Sequence, residues 1–261
     1  MHARSALFDL YGDHVLDRDG WAPISAAVGL LGSLQISAPA VRTAVSRMVR
    51  EGWLDPVERG ARGYAVTPRA RERLREAHTR IYRTGSEDWD GRWHLVVVQR
   101  ARDRNARARA AQGLAFLGYG QLAADTWLAP RPSRELGATL EAARVSWHGF
   151  RGRVDEDPRA MAARVWDLEA LGAAYRDFTA AAPDGDHLGS PEEAFVERSE
   201  LVHAWRLFLF SDPGLPDAVL PEAWPGHEAA RRFDDRARAL LPAAREWVDH
   251  WLDGSGRAAA G

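Results

Sequence analysis

The spacing of apolar and polar positions changes along the chain, and each spacing predicts a different secondary structure. Near the N-terminus, apolar residues recur with a helical period in Ala3–Leu16, Pro23–Leu31 and Ile36–Leu54. Two β-prone runs follow, Trp53–Val57 and Tyr64–Thr67, and the turn between them is rich in glycine and arginine, which predicts a hairpin. Three helices followed by a basic hairpin are the elements of a winged helix-turn-helix.

The third helix is predicted to have one apolar side and one polar side. Ser37 is its predicted N-cap, and Gly52 ends it. The apolar side, which would face a core, consists of Val41, Val45, Met48 and Val49. The polar side consists of Arg42, Thr43, Ser46, Arg47 and Arg50. Because arginine reaches base edges or phosphates in the major groove and hydroxyls add short hydrogen bonds, this side favours DNA binding over the alternative of a solvated surface helix.

The hairpin adds basic residues next to this helix. Arg59 and Arg62 lie in its turn, where a wing would contact phosphates or the minor groove. We therefore predict one set of DNA contacts that spans the helix and the hairpin. The predicted contacts are Ser37, Arg42, Thr43, Ser46, Arg47, Arg50, Arg59, Arg62 and Tyr64.

Two parts of the chain resemble a known family. The runs Ala40–Leu54 and Gly63–Thr67 look like the DNA-binding domain of the PaaX family, bacterial repressors of phenylacetic acid catabolism. The second part resembles the C-terminal signature of that family and comprises Arg198, Leu201–Arg206, Asp212-Pro213, Leu215-Pro216, Leu220-Pro221 and Trp224-Pro225-Gly226. The resemblance implies a homodimeric repressor that binds an inverted-repeat operator in double-stranded DNA. It also implies release by an aryl-acyl-CoA effector such as phenylacetyl-CoA.

The middle of the chain alternates strands and helices. The predicted strands are Trp93–Gln99, Gly120–Ala124, Asp125–Ala129 and Arg144–Arg151, and the predicted helices are Asn105–Leu117 and Ser133–Ala142. The order β-α-β-β-α-β is the ferredoxin-like pattern. This region again resembles PaaX proteins, whose middle is similar to the small ferredoxin-like nuclease of CRISPR adaptation.

That nuclease holds a metal through an aspartate at the end of its first strand. Here the strand ends Val98-Gln99-Arg100, so the carboxylate is missing and nuclease activity is disfavoured. Asp103 lies close by, and in an arginine-rich loop it is predicted to be an ion-pair partner. We expect this domain to serve dimerisation and the spacing of the two wings.

The remainder is predicted to be helical, in Pro158–Ala182, Pro191–Ser211 and His227–Leu252. Thr84–Gly91 has the composition of a linker, Asp155–Pro158 marks a second boundary, and Asp253–Gly261 is expected to fray. We therefore predict an α+β chain of three domains. They are a winged helix-turn-helix over residues 1–83, a ferredoxin-like domain over 92–154 and a helical effector domain over 158–252.

One helix of the last domain carries a partly polar stripe. Ser199, His203, Arg206 and Phe210 recur on it with a helical period, and Arg198 faces elsewhere. Arginine and histidine beside an aromatic ring would suit an acidic ligand, so these five residues are the candidate effector site. The alternative is that they tie the proline-rich loop through Asp212.

Charge is distributed unevenly along the chain. The formal net charge is −2, and all 35 basic residues are arginine. Residues 36–83 hold 11 Arg against five acids, whereas residues 112–261 hold 16 Arg against 24 acids. A basic N-terminal lobe on an acidic remainder fits nucleic-acid binding confined to one module.

The motifs that would mark an enzyme are absent. The sequence has no cysteine, no Gly-x-Ser-x-Gly, no phosphate-binding Gly-x-x-x-x-Gly-Lys and no His-Glu-x-x-His, and its nine histidines are scattered. We predict no catalytic residue, no metal and no cofactor. The competing hypotheses are a metal-dependent nuclease, an acyl-CoA hydrolase and a DNA-binding scaffold without an effector. With no long apolar run, the chain is expected to be cytoplasmic and nucleoid-associated, without a membrane partner.

Overall fold

The computed structural model describes residues 1–81, 89–99, 103–181 and 189–254. They form two compact units. The first comprises Met1–Thr84, Ala181–Arg206 and Ala230–Gly261, and the second comprises Gly85–Ala180 and Leu207–Ala229. The predicted helical domain over 158–252 therefore contributes to both units. Residues 84–88 of the predicted linker, Arg100, Ala182 and residues 255–261 of the predicted tail lie outside the described residues.

The first unit begins with three helices. They are α1 (Ala3–Leu10), α2 (Ile24–Ser33) and α3 (Ala38–Arg50), with the short strand β1 (Trp21–Pro23) before α2. The predicted helix Ala3–Leu16 is regular only to Leu10, because the chain widens into a π-helical turn, Tyr11–Val15, and then tightens into a 3-10 turn, Leu16–Arg18. Gly12 lies in the π turn, and glycine has a low propensity for regular α-helix.

A three-stranded antiparallel sheet follows α3. Its other strands are β2 (Leu54–Glu58) and β3 (Arg62–Val66), and the order is β1-β3-β2. Gly52, with φ of 73°, ends α3 in the left-handed conformation that glycine favours. A side chain at Gly63 would place its Cβ 2.6 Å from the Trp21 ring, so glycine allows β3 to pass beside β1. The helix α4 (Pro68–Ile81) completes the N-terminal segment.

Helices from the far end of the sequence complete the core of the first unit. These are α9 (Pro191–Arg206) and α10 (Pro225–Leu252), of which the part from Ala230 onward belongs to this unit. Phe195, Ala244 and Val248 join one apolar cluster with residues of α1, α2 and α3 such as Leu7 and Val45. Phe195 is 1% exposed, and burying a side chain of this size stabilises the fold by about 1.5–3 kcal/mol. The core of the N-terminal helices therefore depends on the C-terminal helices.

The second unit contains a four-stranded antiparallel sheet. Its strands are β4 (Trp93–Val98), β5 (Gly120–Ala123), β6 (Thr126–Ala129) and β7 (Trp147–Gly152), in the order β5-β6-β4-β7. The helices α5 (Arg104–Phe116) and α6 (Leu136–Ala143) bury Leu114 and Leu140 against Val96 and Trp127 of the sheet. The last strand starts three residues later than predicted because Arg144, with φ of 59°, ends α6 in the left-handed conformation.

The predicted helix Pro158–Ala182 is broken in two. The structure has α7 (Pro158–Val165) and α8 (Leu168–Ala181). Trp166 between them is extended, with φ of −121°, and its ring stacks on Trp93 at 5.8 Å. Asp167 caps the second helix by accepting a hydrogen bond of 2.9 Å from the Ala170 N–H. Likewise, the predicted helix Pro191–Ser211 is an α-helix only to Arg206, followed by the 3-10 turns Leu207–Phe210 and Asp217–Val219.

Phe195→Ala should test whether α9 belongs to the N-terminal core. We expect the free energy of unfolding, measured by urea denaturation, to fall by about 3–5 kcal/mol, because the substitution leaves a cavity in a fully buried site. The matched control is Phe210→Ala, since Phe210 is 58% exposed. Equal losses in the two variants would contradict the assignment of Phe195 to a shared core.

Candidate nucleic-acid interface

The structure places the polar side of α3 on the surface. Val41, Val45 and Met48 are buried, and Val49 is half-buried. The predicted DNA contacts on this helix, Arg42, Thr43, Ser46, Arg47 and Arg50, are all exposed. Three guanidinium groups and two hydroxyls thus lie on one outward-facing helical surface.

The two serines among the predicted DNA contacts differ in what their hydroxyls do. Ser37 occupies the N-cap position, is exposed and makes no capping hydrogen bond with its side chain. The Ser46 hydroxyl donates a hydrogen bond of 2.9 Å to the Arg42 carbonyl one turn earlier. Ser46 therefore offers an external partner only its acceptor lone pairs in this rotamer, whereas Ser37 can offer either role.

In the hairpin, Arg59 is held by its own unit. Its guanidinium lies 2.5 Å from Asp19 Oδ2 and 5.7 Å from the centre of the Trp21 ring. The hydrogen bond from Arg59 lowers the pKa of the Asp19 carboxyl, so this partner stays anionic. Arg59 and Arg62 are both exposed.

Tyr64 is half-buried, and its carbonyl accepts a hydrogen bond of 3.0 Å from the Tyr11 hydroxyl. Burial raises the pKa of Tyr11, which keeps that hydroxyl protonated as the donor. The contact ties the hairpin to the π turn that follows α1. The predicted roles of Arg59, Arg62 and Tyr64 toward DNA stay predictions.

Polar residues of α9, both Arg198 and members of the stripe, meet two carboxylates that the sequence patterns did not single out. Arg198 is 3% exposed and forms a bidentate pair with Asp13, its Nε and Nη2 each lying 2.7 Å from a carboxylate oxygen. Its Nη1 also donates to the Ala237 carbonyl. The guanidinium is thus satisfied by a carboxylate from the π turn and a carbonyl from α10.

Asp9 contacts two further polar residues of α9. His203 Nδ1 lies 3.1 Å from Asp9 Oδ2, and Arg206 Nε lies 3.0 Å from Asp9 Oδ1. Asp9 is 8% exposed, so a buried carboxylate is compensated by α9. Asp9 and Asp13 could have been recognised in the sequence as two acids four residues apart within the predicted helix Ala3–Leu16.

The other proposed members of the effector site are Ser199 and Phe210. Ser199 is buried on α9, while Phe210 is exposed, belongs to the second unit and lies 6.0 Å from the Phe116 ring. Asp212, the alternative tie for the stripe, accepts hydrogen bonds from the Tyr175 hydroxyl and, at 2.7 Å, from the Gly214 N–H. The effector role of Arg198, Ser199, His203, Arg206 and Phe210 stays a prediction. In this structure the two arginines of that set pair with Asp13 and Asp9.

The second unit has a cleft of about 340 Å³ beside α5. Arg104 and Arg107 line it together with Gln121, Asp125 and the Trp127 indole. Its walls combine cations, an amide, a carboxylate and the edge of an aromatic ring.

Neighbouring Asp103 caps α5. Its carboxylate accepts a hydrogen bond of 2.9 Å from the Asn105 N–H and lies 3.8 Å from Arg109 Nη2. In the ranges that the structure describes, no three His, Asp or Glu side chains are arranged to hold a metal ion. No helix in those ranges is long and apolar enough to cross a membrane.

Comparison with known proteins identifies the family. Models of a PaaX-like protein, of the PaaX protein central Cas2-like domain and of the PaaX-like protein C-terminal domain match residues 2–70, 86–159 and 166–250. The transcriptional repressor PaaX of Escherichia coli strain K12 is 30% identical over 263 residues, which cover 94% of this chain and 82% of the repressor. The chain belongs to the PaaX family.

The family resemblance seen in the sequence is therefore confirmed. A solved structure similar to this chain is that of the uncharacterized protein Rv0674 from Mycobacterium tuberculosis, with a TM-score of 0.66, 27% identity and coverage of 95% of this chain and 99% of that one. The matched E. coli relative is a transcriptional repressor, in agreement with the prediction that this PaaX family member is a regulator and not an enzyme.

His14 provides a pH-dependent test of the buried cluster at the π turn. The side chain is 2% exposed, and burial lowers the pKa of its imidazole from 6.5 to about 4, with Arg198 adding to the shift and Asp13 opposing it. Because the unfolded chain takes up this proton below pH 6.5 and the folded chain only near pH 4, stability should fall as the pH drops through that interval. This group contributes a slope of at most about 1.4 kcal/mol per pH unit.

The measurement is the free energy of unfolding from pH 7 down to pH 4 for the wild-type chain and for His14→Gln. The variant should show the shallower dependence. Identical slopes would mean that His14 does not titrate differently in the two states.

Proposed function

We propose that this chain is a DNA-binding transcriptional repressor that reads an inverted-repeat operator as a homodimer. The observation that carries the proposal is the outward-facing side of α3, where Arg42, Arg47 and Arg50 lie on a helix whose opposite side is packed in the core. A helix of this kind suits the major groove, where arginine pairs with guanine edges or phosphates.

The surrounding elements support a winged helix-turn-helix. Helices α2 and α3 are followed by the β2–β3 hairpin, and β1 completes the antiparallel sheet. In this arrangement α3 is the recognition helix and the hairpin with Arg59 and Arg62 is the wing. The family membership and the repressor relative support the same role.

The sheet of the second unit supports a ferredoxin-like domain. Its strands and helices follow each other as strand, helix, strand, strand, helix, strand, and the sheet order is β5-β6-β4-β7. We assign this domain to dimerisation and to the spacing of two wings on half-sites about one helical turn, or a multiple of it, apart. Asp103 is used as a helix cap, which weakens the competing hypothesis of a metal-dependent nuclease.

Arg42→Ala tests the recognition helix. If Arg42 pairs with a base, affinity for a DNA fragment from upstream of the chain's own coding sequence should fall by about 1–3 kcal/mol, since one good bidentate contact carries that much discrimination. Random DNA of equal length should bind as before. Arg238→Ala is the matched control, because Arg238 is exposed on α10 and paired with Asp235.

Fluorescence anisotropy with both DNA fragments at one salt concentration provides the measurement. Equal losses on the two fragments would reduce Arg42 to a phosphate contact. A wild-type chain that binds neither fragment would overturn the proposed function.

We infer that the effector is an aryl-acyl-CoA such as phenylacetyl-CoA. The cleft lined by Arg104 and Arg107 supports this part, because guanidinium groups bind phosphates. The effector releases DNA only if it binds the DNA-free arrangement more tightly than the DNA-bound one. The stripe of α9 is the alternative location.

Phenylacetyl-CoA at saturating concentration should raise the dissociation constant of the upstream DNA fragment. Arg107→Ala should require a higher thioester concentration for the same effect, whereas Arg134→Ala, an exposed arginine of the same unit, should not. If Arg206→Ala raises the required thioester concentration and Arg107→Ala does not, the effector binds at the stripe. A thioester without effect on DNA binding would favour a scaffold without an effector.

A further inference from the structure

We propose that four residues of the first unit position the recognition helix for DNA, although none of them is on the DNA-facing surface. They are Asp9 and Asp13 next to and within the π turn and Arg198 and Arg206 on α9, and we call them the α1–α9 joint. The inference rests on the proposed function, in which α3 reads DNA. It assigns to the C-terminal half of the chain a direct part in shaping the DNA-binding surface.

The joint has a defined geometry because its charges are buried. The side chains of Arg198 and Asp13 are 4% and 7% exposed, and those of Arg206 and Asp9 are 17% and 6% exposed. Removal of one partner would leave a buried charge without compensation, so the two helices cannot slide past each other without a large cost. The bidentate contact between Arg198 and Asp13 also fixes their relative orientation.

The helix α1, which carries Asp9 and leads into the π turn with Asp13, packs against the recognition helix. Leu7 and Leu10 of α1 share the apolar cluster with Val45 and Met48 of α3. At the C-terminal end of α3, Arg4 pairs with Glu51 at 2.5 Å. Helix α1 is therefore held by α9 through the joint and holds α3 through apolar and ionic contacts.

The phenyl ring of Phe8 extends this contact beyond α3. It meets Trp53 edge to face, with ring centres 4.6 Å apart, just before the hairpin begins. The packing of α1 thus continues from the recognition helix to the base of the wing.

The π turn connects the joint to the hairpin as well. Asp13 lies within the turn and pairs with Arg198, while Tyr11, two residues earlier, donates its hydroxyl to the Tyr64 carbonyl of β3. A single π-helical turn at an α-helix often occurs at functional sites. One short segment thus contacts α9 on one side and the predicted wing on the other.

A purely stabilising joint makes a different prediction from a positioning one. If the joint only stabilises the fold, disrupting it should weaken binding to operator and to random DNA to the same extent, in proportion to the fraction of unfolded protein. If the joint positions α3, disrupting it should selectively weaken base-specific binding, because base contacts require closer placement than phosphate contacts. The ratio of the affinity for operator to the affinity for random DNA therefore distinguishes a positioning role from a stabilising one.

The experiment uses the full chain and the double variant Asp13→Leu with Arg198→Met. Removing both charges together avoids an uncompensated buried ion, and paired apolar replacements of similar volume are often neutral for stability. The matched control is the exposed pair on α10, Asp235→Asn with Arg238→Gln. A third variant, Arg198→Lys, keeps the charge but loses the bidentate geometry.

The readouts are the affinities for the upstream fragment and for random DNA, and amide hydrogen exchange of α3 in the absence of DNA. We expect the joint variant to lose operator affinity by about tenfold with little change on random DNA, with Arg198→Lys intermediate and the α10 control unchanged. Exchange of α3 should become faster in the joint variant while the second unit keeps its protection.

Unchanged operator affinity and unchanged exchange of α3 in a folded joint variant would overturn the proposal. So would a parallel loss on both DNA fragments. If the wild-type chain shows no preference for the upstream fragment, the proposed function fails, and the exchange of α3 then decides alone whether the joint positions that helix.

Discussion

The guanidinium of Arg198 must find anionic and carbonyl partners inside the protein, and this requirement determines how the first unit is assembled. Burying an unpaired cation would cost far more than the fold can spare. The partners come from the π turn, through Asp13, and from α10, through the Ala237 carbonyl. One side chain of α9 thereby joins the π turn after the first helix to α10.

Apolar packing follows the same assembly. Phe195 lies on the helix of Arg198 and enters the cluster that contains the back of α3. Ser33 at the end of α2 donates to Glu192 at 2.7 Å and accepts from the Trp247 indole at 3.3 Å, and Arg18 pairs with Asp249 at 2.8 Å. The polar surface of α3 is exposed because its apolar side is needed by this composite core. The fold and the candidate DNA-binding surface are thus two aspects of one packing arrangement.

Local patterns predicted the elements well. The periodicity of Val41, Val45 and Met48 identified which side of α3 is buried, and the β-branched run at Trp93–Val98 identified a strand. Such patterns work because a side chain's burial repeats with the geometry of its own helix or strand. Where a local conformation was decided by distant contacts, the prediction was wrong, as at Trp166, whose extended backbone interrupts the predicted helix while its ring stacks on Trp93.

The sequence alone could not predict pairings between residues that are far apart along the chain. Asp13 and Arg198 are 185 positions apart, and nothing in the spacing of either segment indicates the other. Arg59 looked like a free wing cation because its partner Asp19 lies 40 positions earlier, before the strand β1. The candidate effector stripe was found by its polarity, but polarity alone does not distinguish a ligand site from a buried ionic contact between helices.

The composite core has a consequence for biosynthesis. During translation the first three helices leave the ribosome long before Phe195, Ala244 and Val248 are made, so their apolar sides stay uncovered for most of the synthesis of the chain. Contacts between sequence ends slow folding, because a long loop must close before they form. A chain truncated before α10 would leave this apolar surface exposed and would be prone to aggregate.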